Sequence, residues 1–313
     1  MKLAFVFPGQ GSQYVGMGKE AFEAYPEAAG VFSLADEILG FPLSRLCFEG
    51  PEEALNDTLN TQPAIFVVSL ALWEALRKRM GLDNVLFTAG HSLGEYTALA
   101  ASGAMDFEEG LKLVRTRARL MKEAGEKNRG GMVAVIGADP KKLEEICLEI
   151  SASTGLCLKV ANHNSPEQYV LAGAREALDR ALLALKALGV RAIPLRVSGA
   201  FHTELMAPAQ DGLREALSEV NFRPASPPVV ANTSARPIRE PEEIREELAT
   251  QLTRPVLWKE SVEFMARSGV EAFVEIGPGK VLTGLIKRTI PEARAFNIGK
   301  PQDLEEFARL MET

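Results

Sequence analysis

The chain has 313 residues, 46% of them hydrophobic and 25% charged, with a formal net charge of −7. That length allows a sizeable core and about two domains, and the acidic balance excludes a general nucleic-acid binder, which needs basic excess to displace counterions from phosphates. Cys47, Cys147 and Cys157 are odd in number and lack the close pairing of a metal site, so they read as core residues or free thiols in a reducing cytoplasm, and no metal is expected.

Leu3 to Phe7 is a short apolar run that reads as a buried strand, too short for the core of a signal peptide. Pro8 to Gly18 follows as a glycine-rich loop whose backbone can approach a ligand closely. Helical segments continue to residue 80. Among them Ala64 to Lys78 is strongly apolar on one side, and no run in the chain approaches the length that spans a bilayer.

Through Gly81-Leu82-Asp83 the chain reaches Val85-Leu86-Phe87 and then Gly90-His91-Ser92-Leu93-Gly94. A serine between two glycines, after an apolar strand and before the helix-forming run Leu93 to Ala101, has the form of a nucleophile elbow. The sharp turn strains the serine backbone, small residues on either side relieve the crowding, and the hydroxyl sits at a helix N-terminus whose free N–H groups can stabilise an oxyanion. The alternative is an ordinary strand-turn-helix junction, since the pattern also arises by chance in loops.

Asp106 to Glu123 has the pattern of a helix opening on an N-cap, with Glu109 three residues on to complete a capping box. Phe107, Leu111, Leu113, Val114, Ala118, Leu120 and Met121 form one broad arc, while Lys112, Arg115, Arg119 and Lys122 gather on the other side, where Arg115 and Arg119 are expected to be solvated. Arg117 falls inside the apolar arc. A buried guanidinium without an anion is costly, so a partner carboxylate is expected: either an internal Asp or Glu, or a carboxylate on the substrate held bidentately. The second option would make the acyl group on the serine a dicarboxylic half-ester such as malonyl.

The pattern changes at Asn128-Arg129-Gly130-Gly131. A strand (132–136), a helix (140–150), strands at 157–161 and 168–172, a helix (175–188) and a strand (190–197) give the βαββαβ order of a ferredoxin-like subdomain. We read residues 128–197 as that subdomain, inserted into an α/β-hydrolase-like domain (1–127 and 198–313) with a parallel sheet. Strand-helix alternation resumes after residue 203, with strands at 229–232 and 272–276.

A serine nucleophile needs a base, and there are three histidines. His91 adjoins Ser92, but neighbours at a tight turn point apart, so packing or hydrogen bonding under the elbow is expected of it. His163, in Asn162-His163-Asn164-Ser165-Pro166, reads as a surface-loop residue. His202, in Ser198-Gly199-Ala200-Phe201-His202-Thr203 after the strand-like 193–197, remains as the base by elimination, against the alternative of a structural histidine at a helix start.

Phe7-Pro8-Gly9-Gln10-Gly11-Ser12-Gln13, Gly90-His91-Ser92-Leu93-Gly94-Glu95, Arg117, Gly199-Ala200-Phe201-His202-Thr203, Gln251-Leu252 before Pro255-Val256, and Gly277-Pro278-Gly279-Lys280 span nearly the whole chain in order. With these motifs the chain resembles the malonyl-CoA:acyl carrier protein transacylases of bacterial type II fatty-acid synthesis. The resemblance implies that Ser92 carries the malonyl group, that His202 is general base and then acid, and that Arg117 binds the malonyl carboxylate. It implies an oxyanion hole from the backbone N–H groups of Gln10 and Leu93, and a main-chain carbonyl at Gln251 that orients the histidine in place of a carboxylate. Gln62, Phe201 and Met121 are implied as substrate-binding positions, and Leu93 with Phe201 is the malonyl-type pattern rather than the methylmalonyl one.

Malonyl-CoA and holo acyl carrier protein would be substrates, with no cofactor, no nucleic-acid or membrane partner, and a cytoplasmic monomer as the setting. The carrier is acidic by family character, so docking would use a local basic area, for which Lys280, Lys287 and Arg288 are candidates and a solvated helix face is the alternative. A serine esterase or thioesterase shares the elbow and base, and a carrier-binding scaffold with a dead site is the non-enzymatic rival.

Overall fold

Leu3, Phe5 and Phe7 face one hydrophobic cluster and Ala4 and Val6 face another. The first strand is therefore buried on both sides, as a strand in the middle of a helix-covered parallel sheet must be. The structure is a computed structural model that describes residues 1–81, 84–197 and 199–312; Leu82 and Asp83 of the predicted connection, and Ser198 ahead of the His202 loop, lie outside the described residues.

The strands among the described residues are β1 (Leu3–Phe7), β2 (Val85–Gly90), β3 (Gly130–Ile136), β4 (Leu158–Ser165), β5 (Gln168–Ala174), β6 (Arg191–Pro194), β7 (Val229–Val230), β8 (Pro237–Ile238), β9 (Ala272–Ile276) and β10 (Arg294–Ile298). The large sheet has the order β10-β9-β1-β2-β7-β8 and is parallel except for the closing β7–β8 pair. Phe7 is in register with Gly90. The loop after β1 and the turn after β2 thus leave the same end of the sheet side by side, where open α/β sheets bind ligands.

The helix between them differs from its sequence pattern. It runs Thr58–Arg77 rather than from Ala64, starts behind Asp57, whose side chain accepts from Leu59 N at 2.9 Å, and is buried all round from Thr61 to Leu76 except at Glu74. At 20 residues it is long and apolar enough by composition to cross a membrane, which corrects the expectation that no run reaches that length; most of it is buried inside the fold, as in a core helix. Pro63 hid its start. Proline has no N–H to give to the carbonyl of Leu59, one turn earlier, and Arg115 Nη1 donates to that carbonyl instead and to Asn60 Oδ1 at 3.2 Å. Arg115 is therefore tied down between helices and not solvated as its position on the polar face suggested; Arg119 is exposed and pairs with Glu123.

The helix carrying Arg117 spans Phe107–Lys127, with no side-chain hydrogen bond from Asp106 to its first turn. Asp106 pairs with Arg223 Nη2 at 2.7 Å and Glu109 accepts from Asn221 N at 3.0 Å. The expected capping box is replaced by tertiary contacts to the segment at 221–223.

Residues 130–194 form a second, antiparallel sheet of order β4-β5-β3-β6, covered by the Pro140–Thr154 and Arg175–Ala187 helices over its own apolar cluster. The strands at 157–161 and 168–172 both extend further than their apolar runs. His163 is on β4, paired with Tyr169, and not in a loop; its Nδ1 lies 3.0 Å from Glu260 Oε1. β4 also reaches the large sheet's side of the molecule, since His163 N donates to Val256 O and Val256 N to Ala161 O, each at 2.9 Å. β6 ends at Pro194, three residues short of the 190–197 reading, and β10 and the short β8 had no counterpart in it.

Candidate active site

Ser92 sits between the end of β2 and the Leu93–Ala101 helix with φ 52° and ψ −103°. That left-handed backbone is strained for a residue with a side chain, and the two flanking glycines are required by contact. A Cβ on Gly90 would stand 1.9 Å from the carbonyl carbon of Gly94, and one on Gly94 would stand 2.0 Å from Phe7 O. The glycine-rich loop is equally close, since a Cβ on Gly9 would be 2.3 Å from His91 O. Gln10 is anchored through Nε2 to Thr58 Oγ1 at 3.2 Å, and Leu93, as the first residue of its helix, has an N–H with no intrahelical acceptor.

His202 Nε2 is 2.9 Å from Ser92 Oγ, and its Nδ1 is 2.9 Å from the main-chain oxygen of Gln251. A carbonyl can only accept, so Nδ1 carries the proton and Nε2 is free to accept from the serine. Gln251 ends the Pro241–Gln251 helix, where the last carbonyls lack intrahelical donors. His202 itself has φ 63°. Burial first, and the charge of Arg117 second, push its imidazole pKa down to about 3, which keeps it neutral with Nε2 unprotonated.

Arg117 is 1% exposed. Its Nη1 donates to Gln62 Oε1 at 2.6 Å, and its Nη2 donates to Gln251 Oε1 at 2.9 Å and to Ser92 Oγ at 3.0 Å. The guanidinium lies 5.1 Å from the Tyr96 ring centroid, and Nε has no partner among the described residues. An internal Asp or Glu, one of the two expected partners, is absent from this set: the acceptors are two amides and a hydroxyl. Burial lowers the arginine's pKa, against smaller opposing effects of Tyr96 and Glu95. Gln62 is fixed on its other side through Nε2 to Met121 Sδ at 3.3 Å.

A cavity of about 280 Å³ opens over this group. Gln10, Ser92, Leu93, Arg117, Met121, Phe201 and His202 line its floor, Met132, Asn162, Asn164, Gln168 and Val170 of the small sheet form one wall, and Val281, Leu282 and Leu285 form another. Of the residues implied for catalysis and acyl binding, Gln62 and Gln251 are outside the lining, hydrogen-bonded to Arg117. His91 packs and hydrogen-bonds beside the elbow, with Nε2 2.8 Å from Asn164 Oδ1 and its ring 5.9 Å from that of Trp258, and it also lines the cavity.

Residues 4–307 match the acyl transferase domain family. The malonyl CoA-acyl carrier protein transacylases of Bacillus subtilis strain 168 and Escherichia coli K12 are each 43% identical to this chain, the first over 97% of this chain and 95% of its own length, the second over 96% of both. The chain belongs to the malonyl-CoA:acyl carrier protein transacylase family.

Solved structures agree with that membership. The acyl-carrier-protein S-malonyltransferase of Bartonella henselae superposes with a TM-score of 0.95 at 38% identity over 100% of both chains. A malonyl-transacylase in complex with its type II PKS acyl-carrier protein superposes with a TM-score of 0.95 at 40% identity, over 99% of this chain and 100% of that one.

In this transacylase two polar residues at the elbow have roles that sequence reasoning missed. Asn232, just past β7, accepts from Ser92 N and donates from Nδ2 to Gly90 O, both at 2.7 Å, so it clips the two ends of the turn together. Glu95, fully buried, accepts from Asn232 N at 2.9 Å and from Gln251 Nε2. Burial, then the neighbouring Glu247 charge, raise the Glu95 carboxyl well above the usual range, opposed by these two hydrogen bonds and by Arg117. Glu95 had a signal in the sequence, as the lone charge in the Leu93–Ala101 run. Asn232 had none.

Proposed function

We propose that this chain transfers a malonyl group from coenzyme A to the phosphopantetheine thiol of acyl carrier protein through a malonyl ester on Ser92. The observation that carries the reading is Arg117: a buried guanidinium hydrogen-bonded to the nucleophile's oxygen and held only by neutral acceptors. An acyl group that brings its own carboxylate supplies the anion this cation lacks, and a bidentate grip on it fixes the acyl carbon beside Ser92.

The cycle is ping-pong. Ser92 Oγ attacks the thioester carbonyl of malonyl-CoA while its proton passes to His202 Nε2. The tetrahedral oxyanion rests on the N–H groups of Gln10 and Leu93. Collapse breaks the C–S bond, and His202 returns the proton to the coenzyme A thiolate. In the second half the carrier thiol gives its proton to His202 and attacks the malonyl ester; collapse breaks the C–O bond and the proton goes back to Ser92. The Gln251 carbonyl holds the imidazole tautomer throughout without contributing a charge. Both halves are proton and acyl transfers, so the cycle calls for no metal or redox cofactor.

The finer architecture is part of the same reading. Residues 1–127 with 198–313 are the α/β-hydrolase-like domain, in support of which the nucleophile elbow follows a central parallel strand. Residues 128–197 are the ferredoxin-like subdomain, supported by the βαββαβ element order and the antiparallel order β4-β5-β3-β6. Met121 and Phe201, both at the cavity floor, bound the acyl pocket, with Gln62 fixing Arg117 from behind. Docking of the acidic carrier uses the exposed Lys280, Lys287 and Arg288 beside the cavity wall of the Val281–Thr289 helix. Bacterial type II synthesis in the cytoplasm is the setting this implies.

Mixing the protein with malonyl-CoA and holo acyl carrier protein, with Ser92→Ala in parallel, tests the reading. Malonyl on the carrier thiol with the parent and none with the variant is expected. Free malonate released as fast as coenzyme A would make the chain a thioesterase instead.

A further inference from the structure

We infer that Glu95 is a positioning residue for acyl selectivity: it anchors the Gln251 side chain whose oxygen seats Arg117. The inference rests on the reading that Arg117 binds the carboxylate of the acyl group.

A glutamine side chain has nearly the same shape with its oxygen and nitrogen exchanged, so its surroundings decide which end faces where. Gln251 meets Glu95 Oε2 and Ser92 O on one side and Arg117 Nη2 on the other. The Ser92 carbonyl can only accept, the guanidinium can only donate, and the Glu95 oxygen accepts from the amide nitrogen. Gln251 Nε2 must face Glu95 and Ser92, and Oε1 is then left for Arg117. The Ser92 carbonyl is the weaker guide of the two, at 3.1 Å. With Glu95 in place the amide has one orientation that satisfies all three neighbours. Without it the amide nitrogen keeps only the 3.1 Å contact to the Ser92 carbonyl, so the oxygen that seats Arg117 is held less firmly and the guanidinium that has to meet the acyl carboxylate can shift.

The other Glu95 oxygen accepts from Asn232 N, and Asn232 holds both Ser92 N and Gly90 O. One carboxyl group therefore ties the seat of Arg117 to the turn that carries the nucleophile. Transfer of any acyl group depends on the turn. Transfer of malonyl depends on the turn and on Arg117, so loss of Glu95 should harm malonyl transfer more than acetyl transfer. A residue that merely filled space would lower both alike.

The test measures kcat/KM for malonyl-CoA and acetyl-CoA with the full chain. Glu95→Leu is expected to cut the malonyl-over-acetyl preference about tenfold or more, as loss of a hydrogen bond to a charged group does. Gln251→Leu removes the amide while leaving the main-chain carbonyl that His202 uses, and is expected to lower the preference as Glu95→Leu does; if Glu95→Leu does not fold, this variant decides. The parent's preference in either leucine variant overturns the inference. Arg117→Ala, run alongside, separates the two claims. If it loses the preference while the leucine variants keep it, only the role of Glu95 falls; if it keeps the preference, the reading of Arg117 falls and takes this inference with it.

Discussion

Arg117 Nη2 stands 3.0 Å from Ser92 Oγ, the same oxygen that lies 2.9 Å from His202 Nε2. Nucleophile, base and cation therefore meet at one atom. The proximity has two effects: the guanidinium can hold a carboxylate on the acyl group that Ser92 takes up, and its charge helps keep His202 unprotonated.

Arg117→Ala is expected to lower kcat/KM for malonyl-CoA by about 10- to 100-fold, the range for a lost charge-assisted hydrogen bond of about 1.5–3 kcal/mol. Acetyl-CoA brings no carboxylate and should lose much less. Steady-state kinetics with the two thioesters read this directly, and an equal loss for both would remove Arg117 from acyl recognition.

The pH dependence of stability follows from His202. Its pKa is about 3 in the fold against an ordinary 6.5. Between those values the unfolded chain binds a proton that the folded chain refuses. This residue therefore makes stability fall as pH drops from about 6.5 toward 3, and adds no slope above that window. Urea unfolding of parent and His202→Ala between pH 6.5 and 4 should give a shallower slope for the variant. Identical slopes would mean that the folded imidazole takes up protons as readily as the unfolded one.

Asn232→Ala leaves Ser92 N and Gly90 O without the side chain that joins them. A stability loss of about 2 kcal/mol is expected from two unsatisfied backbone groups at a strained turn, together with slower single-turnover acylation by malonyl-CoA and acetyl-CoA alike. Unchanged acylation would show that the Ser92 backbone holds its geometry without the clip.

How much of this was visible in the chain depends on where each partner lies. β1 and β9 have the bounds their apolar runs suggest, because Pro8 and Gly277 end those runs sharply. The second half of β4 was hidden, since Asn162, His163 and Asn164 look like a turn by composition; their backbone pairs with Tyr169 and Val256 while Asn162 and Asn164 line the cavity. The burial of Arg117 was legible from helical spacing alone. Its partners were not: Gln62 and Gln251 come from distant helices, and nothing local distinguishes a buried glutamine from an exposed one. The same holds for Asn232, whose role exists only because β7 lies beside β2.

Charge reversal at Lys280, Lys287 and Arg288 is expected to raise KM for holo acyl carrier protein several-fold at low salt, with KM for malonyl-CoA unchanged. All three are exposed, and Arg288 Nη1 donates to Gln168 Oε1 at 3.0 Å. Initial rates against carrier concentration at two ionic strengths check it, and an unaltered carrier KM would remove this helix face from docking.

The most direct test of the central claim is intact-mass analysis of the protein after malonyl-CoA is added, and again after holo acyl carrier protein follows. The expected result is one malonyl mass on the parent, located to Ser92 and absent from Ser92→Ala, that disappears as the same mass appears on the carrier thiol. A parent that takes up no malonyl, or an adduct that decays to free malonate without reaching the carrier, would contradict it.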